Sequence, residues 1–330
     1  MKYRTICSLV FVTLLMMGFQ PMSQAEAAGK PFMLATAGTG GTAYVVGGAM
    51  ADIMRRYGDT KVTPMTTNGY IENCRLVAGK RCAIGFSNVD VVYYAYHGME
   101  MFKTGGKLQN LRYLAGGMTM ALPIVVPKNS PVKRISDLRG KRVGVGAPGS
   151  SVYPLSVDVL AIGGLKTTDI KQAFLSLTEM TEALQDGTID GAVYAGTTPS
   201  SAVMNIFATK EMRLLPYGEE EINAWLNKQG PEKRAFYSPY IVPANSYRGQ
   251  TEAAPCLQFR GCLIAHTETP EETVYTFLKT INAQLAELGK VHPAGLQFTM
   301  ENMVKGAAIP LHPGAEKFFK EKGVKVEMVK

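Results

Sequence analysis

Beyond its first 27 residues the chain has no unbroken apolar run long enough to cross a bilayer. The longest candidate, 113–127, is interrupted by Gly116, Gly117 and Pro123, which excludes a membrane-spanning helix there. No run of Lys or Arg occurs, and basic residues do not interleave with aromatics, the pattern by which a chain tracks a phosphate backbone. Nucleic acid is therefore excluded as a partner. The four histidines, His97, His266, His292 and His312, stand at no metal-binding spacing, and neither H-E-x-x-H nor C-x-x-C occurs, so no metal or cofactor is expected. G-x-S-x-G is missing too, which removes the nucleophile elbow of a hydrolase.

At the N-terminus, Lys2 and Arg4 precede an apolar core at 6–19, and Ala25-Glu26-Ala27 supplies a small-x-small cleavage site. This is the grammar of a secretory signal peptide (residues 1–27) cleaved near Ala27, and it places the rest of the chain in the periplasm. The 35 basic and 27 acidic residues then lose Lys2, Arg4 and Glu26, leaving 33 and 26 and a net charge of +7, a balance that suits an acidic ligand. Four cysteines remain, Cys74, Cys82, Cys256 and Cys262. An even number in an oxidising compartment suggests disulfides. Local pairs, Cys74 with Cys82 and Cys256 with Cys262, are the simplest arrangement, although six residues of straight strand would hold the second pair too far apart.

What is present is a repeated alternation of strand and helix, the signature of an α/β fold with parallel strands. Strands are expected near 31–37, 61–66, 83–88, 107–115, 123–127, 141–145, 174–177, 189–194 and 257–265, and 231–255 reads as proline-rich and irregular. Twice, a strand turns through glycines and hydroxyls into a helix: Gly38 to Thr42 in the first half, Gly144 to Ser151 in the second. Glycine lets another molecule approach the backbone, and the unpaired N–H groups of a helix start favour negative charge. Gly144-x-Gly146-x-x-Gly149 matches the dinucleotide fingerprint literally. However, Pro148 stiffens its turn and the following acid, Asp169, precedes the next strand instead of ending it, which disfavours nucleotide. The expectation is a small anion held between the two loops across a cleft.

Several stretches together resemble the TAXI family of TRAP-transporter solute-binding proteins. They are Thr36-Ala-Gly-Thr-Gly-Gly-Thr-Ala-Tyr-Val-Val-Gly-Gly48, Thr67-Asn-Gly-Tyr-Ile-Glu-Asn73, Gly85-Phe-Ser-Asn-Val-Asp90, the stretch from Asp137 to Ser150, Leu184-Gln-Asp-Gly-Thr-Ile-Asp-Gly191 and the closing stretch from Pro310 to Gly323. The resemblance implies a type II periplasmic-binding-protein fold, with two α/β lobes joined by crossing strands and the ligand cleft between them. The first lobe would comprise 28–122 and 257–330, the second 123–256. It implies no enzyme, but capture of a small carboxylate such as glutamate or 2-oxoglutarate by hinge closure, and delivery to small and large TRAP membrane subunits. Carried over by position, it implies ligand contacts from Thr39, Gly40, Gly41, Thr42, Tyr44, Asn73, Ser87 and Asn88 in one lobe. The other lobe would contribute Gly149, Ser150, Ser151, Thr198 and Pro199. The chain departs from the family pattern at 68–70, 88–90, 149–152 and 196–199, all in the expected pocket. Two other functions share these features: a binding protein feeding a receptor instead of a permease, and an exported hydrolase using Ser150 or Ser151 with a remote histidine.

Overall fold

The computed structural model describes residues 29–329; the expected signal peptide lies outside them. Two sheets account for the strands. Those in chain order are β1 (Gly29–Ala35), β2 (Thr60–Met65), β3 (Ile84–Asn88), β4 (Leu111–Ala121), β5 (Ile124–Pro127), β6 (Arg142–Gly144), β7 (Lys171–Ala173), β8 (Gly191–Val193), β9 (Gly196–Thr197), β10 (Met212–Leu215), β11 (Ser238–Val242) and β12 (Ala254–His266). The first sheet runs β2-β1-β3-β12-β4-β9, with β11 also on β12; the second runs β10-β5-β8-β6-β7. In each sheet the strands that lead into helices pair in parallel (β2, β1 and β3; β7, β6 and β8), and the returning strands β12 and β5 pair antiparallel to them.

The helices that matter to the cleft are α1 (Thr42–Tyr57), α2 (Tyr70–Ala78), α3 (Val89–His97), α4 (Val152–Ile162), α5 (Leu177–Gln185) and α6 (Ser201–Thr209). They cover the sheets with their apolar faces. On α1, Val46, Met50, Ile53 and Met54 are buried, while Arg55 and Arg56 sit in the last turn, where cations are favoured. Strand β3 is buried along its whole length, as a central strand covered on both faces must be.

β9 and β11 both join the first sheet, while β10, between them in the chain, belongs to the second, so the two sheets exchange strands over 196–242. The strand expected at 174–177 ends earlier, at Ala173, because Ser176 and Glu179 form a capping box: Glu179 N–H donates to Ser176 Oγ, and Ser176 N–H donates to the Glu179 carboxylate at 2.7 Å. That box starts α5 at Leu177, where hydrophobic residues alone read as strand.

The four cysteines are buried and free, which corrects the expected disulfides. Cys74 Sγ lies 3.3 Å from Ser87 Oγ, and Cys82 Sγ 3.6 Å from Met65 Sδ, so the two thiols face different neighbours. Cys256 and Cys262 share the single strand β12. Burial pushes the Cys74 and Cys256 thiols up to about 12, so they behave as core residues rather than nucleophiles. Among the described residues no helix is long and apolar enough to cross a membrane, and no group of side chains is arranged to hold a metal.

Candidate functional site

β1 delivers the chain to the cleft through Thr36, fully buried, whose hydroxyl donates to Met65 O at 2.8 Å. The loop 37–41 then closes on itself, Gly41 N–H donating to Gly38 O at 2.9 Å, and α1 begins with Gly41 as N-cap. In the second lobe β6 ends at Gly144 and the loop folds back onto α4. A Cβ at Gly146 would stand 2.5 Å from Val152 Cβ, and Gly146 takes φ +94°, a conformation that favours glycine. Neither α1 nor α4 has a side-chain cap or an acid in its first turn. Their first N–H groups are therefore left to another partner.

Both helix starts open on one cavity of about 550 Å³ between the lobes. Its first-lobe wall is formed by 37–43 and 66–70 with Glu72, and its second-lobe wall by Gly146, Ala147, 150–152 and 175–179 with Glu182. The lobes nearly touch around it. Thr42 Oγ1 accepts from Ser201 N–H at 3.3 Å and lies 3.1 Å from Thr197 Oγ1. Asn88 Nδ2 donates to Ser151 Oγ at 3.2 Å. A Cβ on Gly69 would sit 3.3 Å from Ser150 Cα, and one on Gly40 only 2.6 Å from Thr178 Oγ1.

Of the residues singled out by sequence, Thr39, Gly40, Gly41, Thr42, Ser150 and Ser151 line this cavity; Tyr44, Asn73, Ser87, Asn88, Gly149, Thr198 and Pro199 do not. Asn73 has another occupation. Fully buried, its Nδ2 donates to Thr36 O at 2.7 Å and Phe86 O at 2.8 Å, and its Oδ1 accepts from Thr67 Oγ1 at 2.7 Å. It fastens the ends of β1 and β3 together and has no amide proton left for a solute. Ser87 is buried against Cys74, Asn88 stands behind Ser151, and Gly149 provides a left-handed turn with φ +81°. The wall at 175–182 was missed as a site; the Ser176–Glu179 capping box is the signal that marks a helix start there.

No Lys, Arg or His belongs to the lining, whereas Glu72, Glu179 and Glu182 do. The Ser176 backbone N–H, with help from the Ser176 hydroxyl, holds the Glu179 carboxyl below its usual range. The histidines lie elsewhere. His266, His292 and His312 each accept a backbone N–H through Nδ1, and burial lowers all three below the ordinary histidine value. No histidine shares the cavity with Ser150 and Ser151, so the serine–histidine pair that the hydrolase alternative needs does not form.

Known proteins share this architecture. A protein of Bordetella bronchiseptica RB50 superposes with a TM-score of 0.52 at 17% identity, over 90% of this chain and 89% of that one. A binding protein component of an ABC phosphonate transporter from Pseudomonas aeruginosa superposes at 0.51 and 12% identity, over 81% and 79%. These likenesses establish the two-lobed α/β periplasmic-binding-protein fold expected from the sequence. By sequence, 67 residues (20% of this chain) are 39% identical to an Escherichia coli (strain K12) protein described as aliphatic sulfonates-binding. The match spans only about a fifth of that relative's length (21%). The relatives whose roles are named are described as binding proteins.

These findings overturn the resemblance to the TAXI family, and the TRAP membrane subunits fall with it. The glycine-and-hydroxyl stretches that carried it lead into helices α1 and α4, and they do not report on the transporter served. A profile of the NMT1-like family matches residues 34–323, nearly the whole described chain. The chain belongs to the NMT1-like family.

Proposed function

We propose that this chain is an extracytoplasmic solute-binding protein that closes its two lobes on a small organic sulfonate and passes it to an ABC-type importer in the membrane. One observation carries the reading: the uncapped starts of α1 and α4, from opposite lobes, open on a single cavity whose lining contains no basic side chain. Backbone N–H groups and the hydroxyl of Ser151, which accepts from Asn88 and keeps its own proton, give charge-assisted hydrogen bonds to an oxyanion without a full counter-charge. A sulfonate offers three acceptor oxygens for one charge. A phosphonate dianion would call for a cation, which this lining does not supply. The volume, about 550 Å³, is in the range of small-molecule sites. The relatives named for sulfonate and phosphonate agree with an oxyanion rather than specifically a carboxylate. Ligand touching both lobes favours the closed form, and closure is what an importer reads.

The test is a thermal-shift panel of alkanesulfonates, alkylphosphonates, C4 and C5 dicarboxylates and neutral sugars. A ligand at 100 times its dissociation constant adds about 2.7 kcal/mol of stability. Alkanesulfonates should raise Tm most; a response confined to sugars would overturn the reading.

A further inference from the structure

We infer that Asn88, in the first lobe, is a positioning residue: on closure it turns the Ser151 hydroxyl of the second lobe so that the hydroxyl proton faces the solute. This rests on the sulfonate reading above and deepens it. Asn88 ends β3 and stands at the N-cap of α3, where an asparagine side chain ordinarily accepts from the first N–H groups of its own helix. Here it makes no such bond. Completely buried, it sends Nδ2 to Ser151 Oγ at 3.2 Å and leaves Oδ1 without a partner. A buried side-chain oxygen left unpaired is uncommon, and what accompanies it here is a donor aimed at the opposite lobe. Turning the amide over would be worse, stranding two N–H protons in place of one carbonyl oxygen.

A hydroxyl has one proton and two lone pairs. Asn88 occupies a lone pair of Ser151, and among the described residues the Ser151 proton finds no acceptor in the protein. Ser151 lines the cavity, so that proton is left to the solute. Neighbouring hydroxyls of the lining are set differently. Ser150 Oγ donates to Ala147 O at 2.8 Å, and Thr67 Oγ1 donates to Asn73 Oδ1 at 2.7 Å. Each of these bonds lies within one lobe and does not depend on closure. The bond from Asn88 to Ser151 joins the two lobes and exists only when they meet. With the lobes apart the Ser151 hydroxyl rotates freely and offers either a proton or a lone pair; with the lobes together it offers the proton. Closure thus selects for a head group made of acceptors alone and against an oxygen that keeps its own proton at that position. An ionised sulfonate has such a head, whereas an acid monoanion with one O–H left does not.

The experiment is isothermal titration of the purified full-length protein at pH 5.5 with ethanesulfonate and with ethylphosphonate, which is then a monoanion of the same charge bearing one P–OH. Ethanesulfonate should bind the tighter. Ser151→Ala and Asn88→Leu should each shrink the ratio of the two dissociation constants by about threefold or more, the worth of one hydrogen bond. The double variant should shrink it no further than either alone, because the two residues act as one unit. Ser151→Ala trims a single oxygen from a loop, so the test of the donor stands even if Asn88→Leu does not fold. A merely structural role for Asn88 would weaken both probes alike and leave the ratio unmoved, which overturns the inference. A ratio that responds to Ser151→Ala but not to a folded Asn88→Leu overturns the assignment to Asn88. If the wild type binds both probes equally well, the inference fails while sulfonate capture stands. If neither probe nor any other alkanesulfonate binds, both readings fall together.

Discussion

Thr42→Val would remove one hydroxyl and leave the shape and the backbone of α1 intact. In the structure that hydroxyl accepts from Ser201 N–H at 3.3 Å and meets Thr197 Oγ1 at 3.1 Å. It serves as the cap that α6 lacks, since Ser200 makes no side-chain cap bond and no acid occupies the first turn. Thr42 belongs to the first lobe and α6 packs on α5 of the second, so the bond spans the lobes. Valine in its place loses a hydrogen bond and strands a partly buried N–H, together about 1–2 kcal/mol against the closed form. At about 1.4 kcal/mol per tenfold, affinity should fall about 5- to 30-fold. Because the hydroxyl is occupied by Ser201 and Thr197, the factor should be the same for every solute that binds, and Thr42→Ser should restore most of it. Titration calorimetry across two or three ligands reads this directly. Affinity within twofold of the wild type would refute the cross-lobe cap, and a loss that differs between ligands would mean that the hydroxyl touches solute instead.

Other substitutions probe neighbouring features. Gly69→Ala should both destabilise the protein, because φ is +131°, and weaken ligand binding, because the new methyl meets Ser150 across the cleft at 3.3 Å; Gly164→Ala, strained at φ +72° but facing open space, should lower Tm alone. Equal effects on binding would remove the close approach from the account of closure. Burial raises Asp90 from 3.8 to about 6, despite the hydrogen bond it accepts from Tyr237 OH at 2.7 Å. The folded state therefore holds this proton more tightly than the unfolded state, and the stability Asp90 contributes is fully present below about pH 4 and is lost as pH rises through 6. Asp90→Asn should abolish that component of the pH profile and stabilise the protein at pH 7.5, by on the order of 2–3 kcal/mol; an unchanged profile of Tm between pH 4 and 7.5 would refute it. Cys74, Cys82, Cys256 and Cys262 should resist a thiol reagent in the native protein and all label after unfolding without reductant, as read by peptide mass spectrometry; an unlabelled pair would reveal a disulfide.

Sequence reading was strongest where local chemistry decides the structure. The two glycine-and-hydroxyl loops, Gly38 to Thr42 and Gly144 to Ser151, do face one another, because a strand that must turn sharply into a helix advertises itself by residue type. It was weakest where contacts are distant in the chain. Asn73 reads as a plausible solute contact, and only the folded neighbourhood shows its amide committed to Thr36, Phe86 and Thr67. The wall supplied by Leu175 to Glu179 was hidden for a related reason: apolar residues there suggested strand, whereas the Ser176–Glu179 exchange of hydrogen bonds makes them a helix start. Cys256 and Cys262 were doubted as a pair from strand length alone, and the doubt was right because β12 holds both in one extended segment.

The first sheet contains strands from both ends of the chain order, while β5 to β8 and β10 form the second. The second lobe therefore hangs from the first as an excursion, and anything attached after the last helix travels with the first lobe only. An exposed left-handed turn at Gly187, φ +68°, lies at the far end of α5 from the cavity. A fluorophore placed there and another beyond residue 321 would ride on opposite jaws, converting the protein into an optical gauge of its own solute.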